Sequence, residues 1–333
     1  MEMTSLERVW RAVKFETPDR IPRDLWAVPA VYHRYGDEMN RLLRKYPIDI
    51  GESGYKVPWE PETFYEVGTY TDPWGVVLQN GCRGIFPNPV QHPLADDHAI
   101  LHYHPPVHLV AEGFDNVPNF LTRDRTLFIN GGSIRLFERM QWLRGFDRLM
   151  LDIAEDNPIF YKIRDMVHEF NMLNLRALLR CGFDGIFIMD DWGSQKAIFI
   201  HPKTWRKLFL NCYREMFSTI HAAGKLVFFH SDGYILDIIE DLVQAGADVI
   251  NCQVTCMPIN KISEQFRGRI CFWGELNRQT TLPLGTPSDV HAEKRVLVKH
   301  LALPTGGLIG MGVAMQDVPL ENIEAMMMPW NEE

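Results

Sequence analysis

The chain has 333 residues, 46% of them hydrophobic, and a formal net charge of −9. That length allows one large globular domain or two ordinary ones, and an acidic balance with no basic stripe argues against a nucleic-acid binder. No apolar tract approaches the ~20 residues of a membrane span.

The start, Met1-Glu-Met-Thr-Ser-Leu-Glu7, lacks a signal-peptide pattern. Six scattered cysteines (82, 181, 212, 252, 256 and 271) do not read as a disulfide framework, so a cytoplasmic protein is expected. In chain order, Leu6–Lys14 reads as a short helix with Leu6, Val9, Trp10 and Val13 on one face. Thr17–Arg20 is turn chemistry, Ile21–Ala27 a first strand, Asp37–Lys45 a helix and Ile48–Ile50 a short second strand. Residues 51–125 then change character, rich in Pro, Gly, Tyr and Trp and without helical period. Phe64–Val77 followed by Gly84–Val90 predicts a β-meander that turns at Asp72-Pro-Trp-Gly75. An excursion of that length is expected to do something, and residues 55–110 are expected near a barrel mouth.

From Thr126 the pattern becomes regular. Thr126–Asn130 reads as a strand closed by Gly131-Gly132-Ser133, followed by helical Phe137–Leu143 and Arg148–Arg180 with a break near Asn157-Pro158. Five further strand-to-helix units follow: Gly185–Met189 with Pro202–Ala223, Val227–His230 with Tyr234–Ala245, Asp248–Cys252 with Ile259–Phe266, Ile270–Gly274 with Ser288–Leu301, and Gly307–Met311 with Leu320–Met328. Eight β/α units predict an α/β fold, one (β/α)8 barrel domain over residues 1–333. An open doubly wound sheet is the competing arrangement, but no Gly-x-Gly-x-x-Gly follows an early strand.

Barrels carry their chemistry at the C-terminal ends of the strands. Three such ends here are polar: Asp190-Asp-Trp-Gly193, His230-Ser-Asp-Gly233 and Glu275. His230 and Asp232 share one side of an extended chain and so suit a joint site. Asp190 and Asp191 also suit helix capping, and Glu275 a salt bridge to Arg278. The Cys252/Cys256 pair lacks a second pair and is read as packing, as is Met326–Met328. Glu138 and Arg139 follow a Gly-Gly-Ser turn and suit a helix start that also faces the expected mouth.

Taken together, Arg11-Ala-Val-Lys-Phe-Glu-Thr-Pro-Asp-Arg-Ile-Pro22, Phe137–Gly145, Asp190–Gly193, His230–Gly233 and Thr281–Pro287 resemble the uroporphyrinogen decarboxylase superfamily, and within it a corrinoid-linked methyltransferase-like branch. The resemblance spans nearly the whole chain and implies a distorted (β/α)8 barrel. Decarboxylases of the superfamily resemble one another in an arginine-bearing Met-Arg-Gln-Ala-Gly-Arg run after the first strand; here that place reads Asp24-Leu-Trp-Ala-Val-Pro29. Asp and Trp cannot grip propionates bidentately, so the decarboxylase reading loses its anchor. Zinc-bearing methyltransferases carry His-x-Cys where this chain has His230-Ser-Asp232, and a further Cys near the last strand, which here reads Gly310–Met315 without one.

The resemblance therefore implies demethylation of a small methoxylated or methylamine-like substrate, or methyl transfer from a methylcorrinoid. His230, Asp232 and Asp190 are the expected catalytic residues, and Trp26, Phe137, Trp142, Asp191, Trp192 and Glu275 the expected substrate contacts. A Zn²⁺ or other divalent ion on His230, Asp232 and Glu275 is expected in harder ligation than a thiolate site, with a metal-free His–Asp acid as the alternative. Expected partners are the small-molecule substrate, a corrinoid protein carrying the cofactor and a second copy of the chain as homodimer, with no nucleic acid and no membrane. The competing functions are a uroporphyrinogen decarboxylase and a non-catalytic binder of a tetrapyrrole or corrinoid protein.

Overall fold

The computed structural model describes residues 2–51, 63–110 and 126–330. Eight parallel strands curl into a nearly closed barrel: β1 (Arg23–Ala27), β2 (Ile50–Gly51), β6 (Phe128–Ile134), β7 (Gly185–Met189), β8 (Leu226–Ser231), β9 (Val249–Cys252), β10 (Cys271–Glu275) and β11 (Leu308–Ala314). Their order is β1-β11-β10-β9-β8-β7-β6-β2, so the seam lies between β1 and β2. Asp49 draws the seam together at its lower end. Its amide donates to Arg23 O (2.8 Å), and its carboxylate accepts from Arg23 N and pairs with Arg8 and Arg20.

Parallel strands covered on both faces must be apolar on both, and alternation then sorts the side chains into two cores. Phe128, Leu226, Phe228, Val249, Trp273, Ile309 and Met311 fill the barrel interior, whose base is closed by Val9 and Val13 of the helix Ser5–Lys14. Ile186, Ile188, Val227, Phe229, Ile250 and Phe272 face outward into the layer under the helices. No described helix is long and apolar enough to cross a membrane.

Several boundaries differ from the sequence expectation. Gly131-Gly132-Ser133 does not end β6 but lies inside it, at a register shift between Gly131 and Ile134. A Cβ on Gly131 would fall 2.1 Å from the Phe183 ring, so glycine is required there by contact. The helix expected over Pro202–Ala223 is two, Pro202–Leu208 and Leu210–Ala222, and Arg148–Arg180 is likewise Phe146–Ala154 and Pro158–Leu178. Asn157 caps the latter and Pro158 opens it, the expected break. A helix at Pro29–Tyr35 was not anticipated.

The meander forms a separate antiparallel sheet of β3 (Gly68–Thr71), β4 (Val77–Asn80) and β5 (Asn88–Gln91). Its Asp72–Gly75 turn is held by the Asp72 carboxylate, which accepts from Trp74 N and Val76 N. The sheet and its connections pack on segments leaving β1 and β6: Ala30 N donates to Gly84 O, Leu94 N to Leu143 O, and Arg139 pairs with Asp72 in a buried contact. Of the expected 55–110 insertion, residues 55–62 lie outside the described residues.

Candidate active site

The strand register brings one polar level together at the barrel's C-terminal rim. Met189 pairs with His230 across β7 and β8, and His230 with Asn251 across β8 and β9. Interior parity on β8 runs Leu226, Phe228, His230, so the imidazole points inward. On β7, Phe187 packs with the interior cluster, so Asp191 lies on its side of the chain and Asp190 on the opposite one.

His230 is buried, and its two ring nitrogens have different neighbours. Nδ1 meets Asn251 Oδ1, whose orientation is fixed because Asn251 Nδ2 donates to Trp273 O (2.7 Å). Nδ1 is therefore the donor in that pair, and Nε2 is left facing two carboxylates: Asp191 Oδ1 at 3.4 Å and Asp232 Oδ1 at 3.6 Å. Burial alone would lower the imidazole pKa, but the Asp191 hydrogen bond and the charges of Asp232 and Asp191 outweigh it and raise it to about 9. Against its own burial, Asp191 is held below the usual carboxylate range by His230 and by the Asp232 amide, which donates to Oδ1 (2.8 Å). Trp26 and Phe187 pack against the imidazole, with Trp26 5.4 Å away between ring centroids, and Trp273 packs in turn on both of them.

Asp232 also pairs through Oδ2 with Arg278, and Arg278 Nε lies 3.2 Å from Glu275 Oε1. Glu275 is 1% exposed, and burial raises its carboxyl to about 7 despite the nearby guanidinium. Above these groups opens a polar cleft of about 420 Å³ whose wall includes Asp191, Asp232, Glu138, Gln195, Gln253 and Arg278. Two glycines on its wall let the backbone segments pack directly on each other. Gly233, at φ +76°, lies so close to Gly193 that a Cβ on it would meet Gly193 O at 2.1 Å, and one on Gly193 would meet Tyr234 N at 2.5 Å.

The sequence-predicted residues divide accordingly. His230, Asp232 and Asp191 converge, and Glu275 joins through Arg278. Asp190, expected to be catalytic, points the other way: its buried carboxylate accepts from Leu136 N (3.0 Å), Glu138 N (2.9 Å) and Tyr213 OH (2.7 Å). It secures the start of the helix Phe137–Arg144, and burial raises its pKa to about 7. Phe137 and Trp192, expected as substrate contacts, are fully buried and stacked on each other at 3.8 Å, with Trp192 Nε1 donating to Tyr213 OH. Trp142 packs under Arg135 and Arg139 and is not on the cleft wall. Asn251, Gln253, Gln195 and Arg278 were missed. Asn251 had a usable signal, being the polar end of a strand level with His230.

The expected metal set changes with this geometry. Among the described residues, the atoms close enough to share an ion are on Asp191, His230 and Asp232, all within 4.8 Å of one another, and Glu275 is not among them. The set fits a divalent ion. Nε2 faces it, Nδ1 is held by an amide as in many histidine ligands, and Asp232 Oδ1 is buried with no hydrogen-bond partner. The thiols do not take part: Cys252 is buried, Cys256 sits between Gln195 and Gln253, and all six cysteines are free.

A barrel with an imidazole and acidic residues at its strand ends is an α/β-barrel of enzyme-like construction. The sequence profile of the uroporphyrinogen decarboxylase (URO-D) family matches residues 129–332, and the chain belongs to that family. A solved methyltransferase from Methanosarcina mazei is similar in fold over 98% of this chain and 97% of its own, at TM-score 0.70 and 16% identity. A chitinase from Chromobacterium violaceum ATCC 12472 aligns over 92% of this chain and 98% of its own at 10% identity, but its TM-score of 0.39 is too low to bear on the site. Comparison with curated protein sequences gives no match.

Proposed function

We propose that the chain is a methyltransferase that removes a methyl group from a small substrate seated in the cleft, with a corrinoid carried by a partner protein as acceptor. The observation that carries this reading is the buried His230 Nε2, which faces Asp191 and Asp232, two carboxylates of the cleft wall. Methyl transfer from oxygen or nitrogen breaks the carbon–heteroatom bond with its electron pair left on the heteroatom, which leaves well only when that charge is neutralised. A His230 kept protonated by two carboxylates donates the Nε2 proton to that atom as the bond breaks. Asp191 and Asp232 then hold the ring in place, and Asn251 holds its tautomer. The corrinoid, when bound, supplies the nucleophile that receives the methyl group. The fold likeness to a methyltransferase is consistent with this reading.

The cleft does not suit a polycarboxylate. Arg278 is the one basic residue on its wall and is already paired with Asp232 and Glu275. Arg139 and Arg144 are buried in ion pairs with Asp72 and Asp152, Arg135 pairs with Glu138, and Asp24 is buried in the strand where decarboxylases resemble one another in arginine. A second version of the same reaction is favoured by the unpartnered Asp232 Oδ1: Asp191, His230 and Asp232 would hold a divalent ion, which supplies Lewis acidity to the leaving atom. The test is His230→Gln assayed for demethylation. Loss of about 10²–10⁴ in kcat is expected in a variant whose circular dichroism shows it folded, and full activity in the variant would refute the reading.

A further inference from the structure

Beside the main cleft lies a chamber of about 250 Å³ that shares Gln195, Gln253 and Arg278 with it and has Glu275 and Cys256 on its own wall. Its chemistry is lopsided. Glu275 is 1% exposed, yet neither of its carboxyl oxygens accepts a hydrogen bond. Arg278 Nε, 3.2 Å from Oε1, is close enough to attract the charge but not aligned to donate, and the same guanidinium is claimed by Asp232. Across the chamber the polar groups are served: Gln253 Oε1 accepts from Gln195 Nε2 (3.0 Å) and Gly233 N (3.1 Å), and Gln195 Oε1 lies 3.0 Å from the Cys256 thiol. The unsatisfied group on this wall is thus Glu275, and Arg278 is the one cation there.

A buried acceptor left without a donor costs free energy that the fold recovers only if something else supplies the donor. A bulky apolar group cannot, and an anion adds a further acceptor against Glu275 and Asp232. A compact cation with several N–H groups supplies donors and offsets the carboxylate charge, in the charge-assisted bonds that are the stronger kind.

We propose that this chamber seats a protonated amino group of the substrate, with Glu275 as the anchoring carboxylate, so that the substrates are small amines whose ammonium head is separate from the methylated atom to which His230 gives its proton. As the substrate class of the reaction it rests on the methyl-transfer reading, but the amine site itself is tested by binding alone. Calorimetry with benzylammonium, benzyl alcohol and benzoate presents one shape with a cationic, a neutral and an anionic head. The expected result is one benzylammonium per chain, bound at least about tenfold more tightly than benzyl alcohol, the increment of one charged hydrogen bond, with benzoate weakest. Glu275→Gln should bring that ratio close to unity. Asp191→Asn, which removes a negative charge from the main cleft but not from the chamber, should reduce it less. Equal affinities for the three probes overturn the proposal on the native protein alone. A preference that survives Glu275→Gln, or falls equally in Asp191→Asn, overturns the assignment to Glu275. Amine binding without demethylation of any amine would leave the chamber assigned and count against the proposed reaction.

Discussion

Replacing Asp190 separates architecture from catalysis, because a carboxylate next in sequence to a cleft residue is here wholly committed to the scaffold. Its two oxygens satisfy three donors at 2.7–3.0 Å: Leu136 N, Glu138 N and the fully buried Tyr213 hydroxyl. Asp190→Ala orphans all three, and at about 1–3 kcal/mol for each buried donor left unmade the loss should be about 3–9 kcal/mol, the lower end applying where water reaches the Glu138 amide. Asp190→Asn keeps one carbonyl but turns an NH₂ towards a donor, and should cost about 1–3 kcal/mol. The assay is urea unfolding at neutral pH followed by far-ultraviolet circular dichroism, alongside kcat for the folded fraction. An alanine variant within about 1 kcal/mol of the parent would refute the capping role. So would a drop in kcat of more than about 100-fold at unchanged stability, because that is the signature of a general acid or base.

Protonation should also shape stability. Asp24, Glu138, Asp190 and Glu275 are each raised to about 7 by burial, and His230 to about 9 by its carboxylates against burial. Raised carboxyls contribute stability below their unfolded pKa that is lost as pH rises towards 7, and a raised histidine loses its contribution as pH rises from 6.5 to 9, so the melting temperature should fall between about pH 6 and about pH 9; a rise over that range in differential scanning fluorimetry would contradict these environments. Removing the charge of Asp191 or Asp232 by Asn should lower the His230 pKa, moving the alkaline limb of the kcat/KM profile to lower pH, and an unmoved limb would show that His230 is not the titrating acid. Dialysis against a chelator decides between the two versions of the site: activity that survives supports the protonated imidazole, and activity lost and restored by Zn²⁺ supports the ion on Asp191, His230 and Asp232.

Much of the barrel was legible because strands buried on both faces appear as short apolar runs such as Leu226–Phe229, each followed by a helical period. The same property hid the site's details. In Gly185-Ile-Phe-Ile-Met189 every position but the first is apolar, so the sequence cannot say which parity faces inward, and with it whether Asp190 or Asp191 reaches the cleft. The neighbouring ladder decides, through Met189 opposite His230. Gly131-Gly132-Ser133 looked like a turn because glycine commonly marks one. Here Gly131 answers to the Phe183 ring pressed against the strand, a contact between residues about fifty positions apart. Arg278 was legible only as a partner of Glu275 and not as the link to Asp232, because three residues past a strand the chain has no fixed direction. Trp192 and Phe137 look like pocket walls in sequence, yet their stacking on each other belongs to the outer layer.

The central claim is that the cleft over His230 is a methyl-transfer site. Its most direct test offers the protein a panel of ¹³C-methyl amines and methoxylated compounds together with a reduced corrinoid protein, and follows the labelled methyl group by NMR. The account predicts label on the corrinoid from at least one donor with the native protein, and none with the folded His230→Gln variant. Label that stays on every donor, or transfer undiminished in the variant, would contradict it.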